Sequence, residues 1–318
     1  MNIQKNIPLV KYTTFRIGGP ARYFITAKSA EDLIEAVRFA KAKKLPYFIL
    51  GGGSNLLVSD EGFNGVIIKN QNSKIKIQNY NSKFKIIQAE AGVNLGKLVR
   101  YSAKQGLTGL EWAIGVPGTL GGAIRGNAGA FGHSVSEFIK EVKSLNSKLQ
   151  VISYKLQDLN FGYRDSIFKK NKEIILSVIL KLKKGVVKEI KKEIKETVVK
   201  RNIPPFPSAG SVFKNLLIKN LDKNILAIIP EEKIKEGKIA AGYLIDQCGL
   251  KGKKIGRAMI LEKHANFIVN LGPLRRGSSE ASGAKAKDVI KLIQLIKKTV
   301  QKKFKIKLEE EIEYLGFD

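Results

Sequence analysis

The sequence contains very little cysteine and histidine. Cys248 is its single cysteine, and His133 and His264 are its two histidines. One cysteine cannot build a disulfide framework, so we expect a protein of the reducing cytoplasm. Two histidines far apart, with no second cysteine near Cys248, argue against a metal site. The sequence therefore predicts neither a disulfide-stabilised fold nor metal chemistry.

Long apolar runs are also missing. No apolar stretch approaches the roughly 18 residues expected of a membrane span, and MNIQKNIPLVKY lacks the apolar core of a signal peptide. We therefore expect no membrane partner. The hydrophobic residues, 43% of 318, are nevertheless sufficient for a packed core, and the length allows two domains.

Acidic residues are scarce relative to basic ones. The chain has 28 Asp and Glu against 57 Lys and Arg, which gives a formal net charge of +29. Because the lysines are spread through segments such as KKGVVKEIKKEIK and KKTVQKKFKIK, a lysine-biased composition explains most of this charge. The remainder would suit phosphates, carboxylates or DNA. A basic nucleic-acid-binding protein is thus one alternative, but no basic stripe interleaved with aromatic residues is visible, and we expect no nucleic-acid partner.

The periodicity of the chain predicts an α+β protein. Alternation predicts strands at 21–27, 47–50, 65–69, 74–77, 84–89, 136–145, 151–154 and 173–182. Apolar spacing and capping signals predict helices at 29–43, 94–105, 186–201, 240–247 and 287–304. The weak alternation of 307–316 is compatible with one more strand. Pro204 and Pro205 follow a charged helix and are the best candidate for a domain boundary.

Two glycine-rich segments are the most informative local features. The first glycine segment, residues 51–55, places three glycines directly after a strand, and the second glycine segment, residues 109–132, is the most glycine-dense part of the chain. Glycines let backbone amides approach a phosphate closely. The first segment lacks the third glycine of G-x-G-x-x-G, and no G-K-[ST] occurs. These segments therefore predict one extended ligand held at two places, outside the common nucleotide-binding folds.

Three polar side chains are candidates for chemistry, each with a simpler interpretation. Arg164 in FGYRDS could bind a carboxylate or occupy an ordinary turn. Ser211 in PSAGSVF could act on a substrate or stabilise a turn. The acidic residues of EEEIE, which include Glu311, could equally form a solvated face. Individually, none of them decides the function.

The combination of motifs is far more specific. GGGSNLL, GVPGTLGGAIRGNAGAFG, FGYRDSIF, PPFPSAGSVFKN, AAGYLIDQCGLKG, KHANFIVN and EEEIEYLG occur in this order, after TTFRIGGP near the N-terminus. Together they resemble the bacterial UDP-N-acetylenolpyruvoylglucosamine reductases of peptidoglycan synthesis. The length resembles the short subclass that lacks an extra tyrosine-bearing loop.

The resemblance implies a fold and a reaction. The fold would be α+β, with a two-lobed FAD-binding domain of the vanillyl-alcohol-oxidase type over 1–203 (lobes about 1–70 and 71–203). An α+β substrate-binding domain over 204–318 would follow, its C-terminal segment returning to the active site. NADPH would reduce FAD, and the flavin would reduce UDP-N-acetyl-3-O-(1-carboxyvinyl)glucosamine to UDP-N-acetylmuramate. A monomer or weak oligomer is expected.

The resemblance also implies roles for individual residues. Arg164 would bind the substrate carboxylate, Ser211 would donate a proton, and Glu311 would help to stabilise the intermediate. The residues implied to bind FAD are Gly51, Gly52, Gly53, Ser54, Asn55, Gly115, Val116, Pro117, Gly118, Thr119, Gly122, Ala123 and Asn127. Tyr163, Lys214 and Asn215 would contact the substrate.

Some residues depart from the family pattern, and one rival remains. Leu216 stands where the family commonly has proline, 255–257 replaces a usual glycine pair, and 273–283 looks like an insertion. These departures affect the expected substrate loops rather than the three catalytic candidates. The glycine segments indicate FAD binding and carry no information about the substrate. Another flavin oxidoreductase of the same fold, acting on a small alcohol or sugar, is therefore the nearest alternative.

Overall fold

The computed structural model describes residues 1–79, 81–201, 204–272 and 283–317. The chain forms two compact units. The first comprises residues 1–5, 23–52 and 65–203, and the second comprises 6–22, 53–64 and 204–318. The domains expected from the sequence, 1–203 and 204–318, are contiguous, whereas the second unit also includes two segments from the N-terminal part. The bounds 1–203 and 204–318, and the lobes about 1–70 and 71–203, stay predictions.

Two sheets organise the first unit. Four strands form a sheet in the order β1-β2-β5-β3, most of which belongs to this unit, and β3 runs parallel to β5. Their bounds are Ile3–Pro8 (β1), Pro20–Ala27 (β2), Tyr47–Leu50 (β3) and Phe63–Asn70 (β5). The other sheet is antiparallel, in the order β12-β11-β13-β7-β6, with β8 also paired to β13. Its strands are Ile75–Asn79 (β6), Phe84–Glu90 (β7), Leu107–Thr108 (β8), Ile139–Leu145 (β11), Val151–Lys155 (β12) and Ile174–Lys184 (β13).

Helices cover these sheets with their apolar faces. Helix α1 begins after Ser29, whose hydroxyl accepts the Asp32 N–H at 3.1 Å, and its buried residues Leu33 and Val37 join the core of the first sheet. The helices of this unit are Ala30–Ala42 (α1), Leu95–Lys104 (α2), Leu120–Arg125 (α3), Ile167–Asn171 (α4) and Val187–Lys200 (α5). A short hairpin of Gly129–Ala130 (β9) and His133–Ser134 (β10) ends the second glycine segment.

The second unit surrounds a separate core. Helix α8 carries the apolar stripe Val289, Leu292, Ile293, Ile296 and Val300, which packs with Phe213 among others. Its sheets have the orders β14-β20-β19-β18 and β15-β17-β16, and β21 pairs with β4 in parallel. The strands are Leu56–Val58 (β4), Ser208–Ser211 (β14), Leu216–Leu217 (β15), Ile234–Lys235 (β16), Lys238–Ile239 (β17), Lys254–Ile255 (β18), Ala258–Ile260 (β19), Phe267–Asn270 (β20) and Glu313–Leu315 (β21). The helices are Lys223–Ala227 (α6), Ala241–Gln247 (α7) and Ala286–Phe304 (α8).

The structure confirms most of the expected elements and corrects two of them. The strand expected over 136–145 is wrong in its first part, because residues Val135–Phe138 form a 3-10 turn in which the Glu137 carboxylate accepts the Ser134 N–H at 2.5 Å. Of the segment 307–316, only Glu313–Leu315 forms a strand. The expected insertion 273–283 lies outside the described residues apart from Gly283.

No helix within the described ranges combines the length and the apolar character needed to cross a membrane.

Candidate active site

The two glycine segments touch each other within the first unit. A Cβ atom built on Gly52 would lie 2.5 Å from the Gly118 Cα atom, and one built on Gly51 would lie 2.5 Å from the Thr119 Oγ1 atom. At Gly52 the opposing atoms are backbone, so a side chain there would displace the opposite segment, whereas at Gly51 the opposing atom belongs to the Thr119 side chain. The close approach of two backbones therefore explains why glycine is needed at Gly52.

Left-handed backbone conformations shape the second glycine segment. Gly115 and Gly118 have φ angles of 76° and 113°, and the buried Asn127 has a φ of 39°. The Asn127 side-chain amide donates to the Gly162 carbonyl at 2.8 Å. This bond attaches the turn that carries Tyr163 and Arg164 to the glycine segment.

Arg164 makes a second connection between that turn and the same segment. Its Nη2 atom donates to the Gly129 carbonyl at 2.9 Å, and its guanidinium carbon lies 5.4 Å from the centre of the Tyr163 ring. Lys169 donates to the Arg164 carbonyl at 2.8 Å. The residue itself has a φ of 55°, so its unusual backbone is held in place by several neighbours. The first unit thus brings Arg164 and Tyr163 to the second glycine segment.

These contacts fit an extended anionic cofactor. The two segments approach each other through backbone at Gly52 and Gly118, and no acceptor in the described ranges takes the Gly52 N–H. Such backbone N–H groups are suitable donors for phosphate oxygens. The residues of the first unit could therefore hold the diphosphate of a dinucleotide without a lysine of the P-loop kind.

Ser211 lies at the end of β14 in the second unit. The preceding Gly210 has a φ of 79°, and the pairing of β14 with β20 shifts register between Ser208 and Ser211, which faces Phe267. Ser211 is half-buried. The glycine and the register shift together interrupt the regular ladder at the serine, as is common beside functional sites.

The C-terminal segment returns to Ser211 in the second unit. The Glu311 N–H donates to the Val212 carbonyl at 2.8 Å, next to Ser211 in the chain. On its other side, the Asn55 side-chain amide donates to the Glu311 carbonyl at 2.8 Å. The Glu313 N–H in turn donates to the Asn55 carbonyl at 2.9 Å. Residues from three distant parts of the sequence are therefore held together around Glu311.

Sequence similarity to known proteins extends over nearly the whole chain. The UDP-N-acetylenolpyruvoylglucosamine reductase of Carboxydothermus hydrogenoformans is 40% identical over 318 residues, covering 99% of this chain and 94% of its own. The enzyme of the same name from Caldicellulosiruptor bescii is 38% identical and covers 98% and 90%. The chain belongs to the UDP-N-acetylenolpyruvoylglucosamine reductase family. The resemblance identified from the sequence motifs is thus confirmed.

Family models and a crystal structure agree with this membership. Residues 202–315 match the C-terminal domain of UDP-N-acetylenolpyruvoylglucosamine reductase, and residues 21–152 match an FAD binding domain. The crystal structure of UDP-N-acetylenolpyruvylglucosamine reductase from Thermus caldophilus superimposes with a TM-score of 0.75 at 34% identity, covering 99% of this chain and 100% of its own. The expected fold class is confirmed: a two-lobed FAD-binding domain of the vanillyl-alcohol-oxidase type precedes an α+β substrate-binding domain. The family consists of oxidoreductases of peptidoglycan synthesis.

Two residues expected to contact substrate in this reductase family have local partners. The Lys214 ammonium group pairs with the Glu309 carboxylate, and the Lys214 N–H donates to the Glu309 carbonyl at 2.9 Å. The Asn215 side-chain oxygen accepts the N–H of Ala241, the first residue of α7, at 3.2 Å. Both residues therefore stabilise the segment after Ser211, and their contact with substrate stays a prediction.

Asn266 is a supporting residue that the sequence reasoning missed. Its buried side chain accepts the Phe213 N–H at 2.9 Å and donates to the Phe213 carbonyl at 2.8 Å, while its own carbonyl accepts the Val212 N–H at 2.8 Å. These three bonds fix the backbone immediately after Ser211. Its position in KHANFIVN, one of the family motifs, was the available signal.

The two histidines have surroundings that differ from each other. His133 is exposed and contacts the Glu137 carboxylate at 2.9 Å, whereas burial lowers the pKa of His264, which packs against Phe267. In the part of the chain that the structure describes, no three His, Cys, Asp or Glu side chains converge in the manner of a metal site.

Proposed function

We propose that the protein reduces UDP-N-acetyl-3-O-(1-carboxyvinyl)glucosamine to UDP-N-acetylmuramate, with FAD as cofactor and NADPH as reductant. The observation that carries the proposal is the hydrogen bond that brings Glu311 to the backbone beside Ser211. The two residues lie far apart in the sequence. The fit of the glycine segments to an anionic cofactor supports the proposal independently. UDP-sugar and NADPH are the proposed ligands of a monomer or weak oligomer.

The cofactor would be held mainly by backbone groups. When bound, FAD would accept hydride from NADPH and deliver it to the substrate double bond. Backbone amides of the two segments, among them the Gly52 N–H that no described residue accepts, would donate to the diphosphate. The proposed FAD-binding residues remain Gly51, Gly52, Gly53, Ser54, Asn55, Gly115, Val116, Pro117, Gly118, Thr119, Gly122, Ala123 and Asn127.

Arg164 would orient the substrate through its carboxylate. A guanidinium offers two parallel donors, a geometry that lysine cannot reproduce. The bond from Nη2 to the Gly129 carbonyl and the neighbouring Tyr163 ring restrict the side chain before substrate arrives. Such restriction reduces the ordering that binding would otherwise require.

Ser211 would supply the proton that completes the reduction. Addition of hydride to the terminal vinyl carbon leaves negative charge on the neighbouring carbon and its carboxylate, and the serine hydroxyl would protonate that carbon. Serine is a weak acid in water, so it needs a strongly basic acceptor and a fixed position. Glu311 would assist at the same intermediate, and Asn55 and Val212 fix its backbone for this role.

Steady-state turnover tests this proposal directly. The purified full chain should oxidise NADPH rapidly only when the enolpyruvyl UDP-sugar is present, with one equivalent of UDP-N-acetylmuramate formed per NADPH consumed. NADPH absorbance and product chromatography measure the two quantities. Oxygen-linked oxidation of a small alcohol or sugar, without activity on the enolpyruvyl substrate, would instead support the rival flavin oxidoreductase.

A further inference from the structure

Two cationic side chains hold backbone carbonyls of the two glycine segments. Lys69 lies in β5 beside Leu50 of the parallel strand β3, and its ammonium group donates to the Gly51 carbonyl. Arg201 follows α5, and its Nη2 atom donates to the Trp112 carbonyl at 2.8 Å. Each glycine segment is thus contacted by one cation from a different part of the first unit.

Arg201 contacts both ends of the second glycine segment. Trp112 lies near the start of that segment, and the Arg201 guanidinium carbon is 5.1 Å from the centre of the Phe131 ring near its end. The Phe131 ring is half exposed, at 51% of its full accessible surface. A guanidinium that bridges the ends of a glycine-rich segment restricts the conformations of the residues between them.

Neither cation has an acidic partner in the described ranges. No carboxylate there lies within 4.0 Å of the Lys69 ammonium or the Arg201 guanidinium, although such pairs occur elsewhere in the chain. Burial lowers the pKa of both side chains, which means that the surroundings disfavour their charged forms. Even partial burial of a cation without a counterion costs free energy, so the stability of the fold does not account for these two charges.

The bond from Lys69 also determines the direction of a neighbouring amide. In a planar trans peptide the C=O and N–H groups point in opposite directions. Because the Gly51 carbonyl points toward Lys69, the Gly52 N–H points away from it, and no described residue accepts that N–H. Lys69 therefore holds the Gly52 N–H in an orientation that points away from the Lys69 ammonium group.

We propose that Lys69 and Arg201 are positioning residues whose positive charges are neutralised by an anionic diphosphate bound at the two glycine segments. This inference rests on the proposed function, since the diphosphate would be that of FAD. It assigns the stabilising counterion of both cations to the cofactor rather than to the protein. Removing either charge should consequently weaken cofactor binding without weakening the protein that lacks cofactor.

Variants that remove one charge test this assignment. Lys69→Met and Arg201→Met are compared with wild type for FAD affinity, by quenching of flavin fluorescence, and for thermal unfolding of the full chain freed of flavin. We expect FAD affinity to fall roughly ten-fold in each variant, the scale of one hydrogen bond to a charged group. The melting temperature of the flavin-free chain should stay the same or rise, and Lys69→Arg should retain most of the affinity.

Lys76→Met is the matched control, because Lys76 is an exposed lysine in strand β6 of the same unit. It should alter neither quantity. Unchanged FAD affinity in Lys69→Met and Arg201→Met would overturn the inference, as would a flavin-free variant that is strongly destabilised or too unstable to purify. A wild-type chain that does not bind FAD would instead contradict the proposed function itself.

Discussion

Replacing Ser211 by alanine should leave the reduction of bound flavin by NADPH unchanged and slow its reoxidation by the enolpyruvyl substrate roughly 10²-fold or more. The reason is that only the second half-reaction requires a proton at the substrate carbon. Ser211 ends β14 after Gly210, and Asn266 holds the following backbone, so the substitution removes one hydroxyl without changing a buried bond. Stopped-flow absorbance of the flavin measures both half-reactions separately.

Ser208→Ala provides a control in the same strand. Ser208 lies at the other end of β14, and its carbonyl, which the substitution retains, accepts the Thr14 hydroxyl at 2.8 Å. The hydroxyl that is lost accepts the Gly210 N–H at 3.4 Å, a long and therefore weak bond. This variant should have both half-reactions close to wild type. If Ser211→Ala slowed the two half-reactions equally, the assignment of Ser211 as proton donor would be wrong.

Replacing Gly52 by alanine should greatly weaken FAD binding. The new Cβ atom would lie 2.5 Å from the Gly118 Cα atom and 3.1 Å from the Gly118 carbonyl carbon, so the clash is with backbone rather than with a flexible side chain. Overpacking of this kind typically costs about 1 to 3 kcal/mol, and here it separates the two segments proposed to hold the diphosphate. We expect the affinity for FAD to fall between about ten-fold and 100-fold. Flavin content after purification and fluorescence titration measure the loss.

Gly126→Ala is the matched control for the glycine prediction. Gly126 also belongs to the second glycine segment, but its φ is −94° and the nearest atom to an added Cβ is the Gly122 carbonyl oxygen at 3.6 Å. Alanine fits there, so flavin content should remain close to wild type. Full retention of FAD by Gly52→Ala would show that the contact with Gly118 is not needed for the cofactor.

Local patterns were sufficient to predict the regular elements. The capping serine of α1 and the apolar stripe of α8 appear in the sequence with the spacing of a helix, and both helices lie within one or two residues of their expected bounds. Strand β3 was located correctly by a short apolar run that ends at glycine. In these elements the local side-chain pattern and its capping residues are sufficient to predict the conformation.

Contacts between distant segments could not be predicted in the same way. Glu311 is held through its own backbone, whose N–H donates to Val212 and whose carbonyl accepts the Asn55 side-chain amide, and a backbone group produces no residue pattern. For the same reason, residues 6–22 and 53–64 gave no sign that they belong to the second compact unit. Ser211 and Glu311 were candidates with simpler interpretations until the family motifs implied their roles, and Lys69 was missed because a single lysine in a lysine-rich chain carries no signal.

An anaerobic titration of the purified full chain, followed by visible absorption, tests the central claim most directly. We predict a flavin spectrum that NADPH bleaches and that a stoichiometric amount of the enolpyruvyl UDP-sugar then restores, with UDP-N-acetylmuramate as product. A colourless protein that acquires no flavin spectrum when FAD is added, or a reduced flavin that the enolpyruvyl UDP-sugar fails to reoxidise, would contradict it.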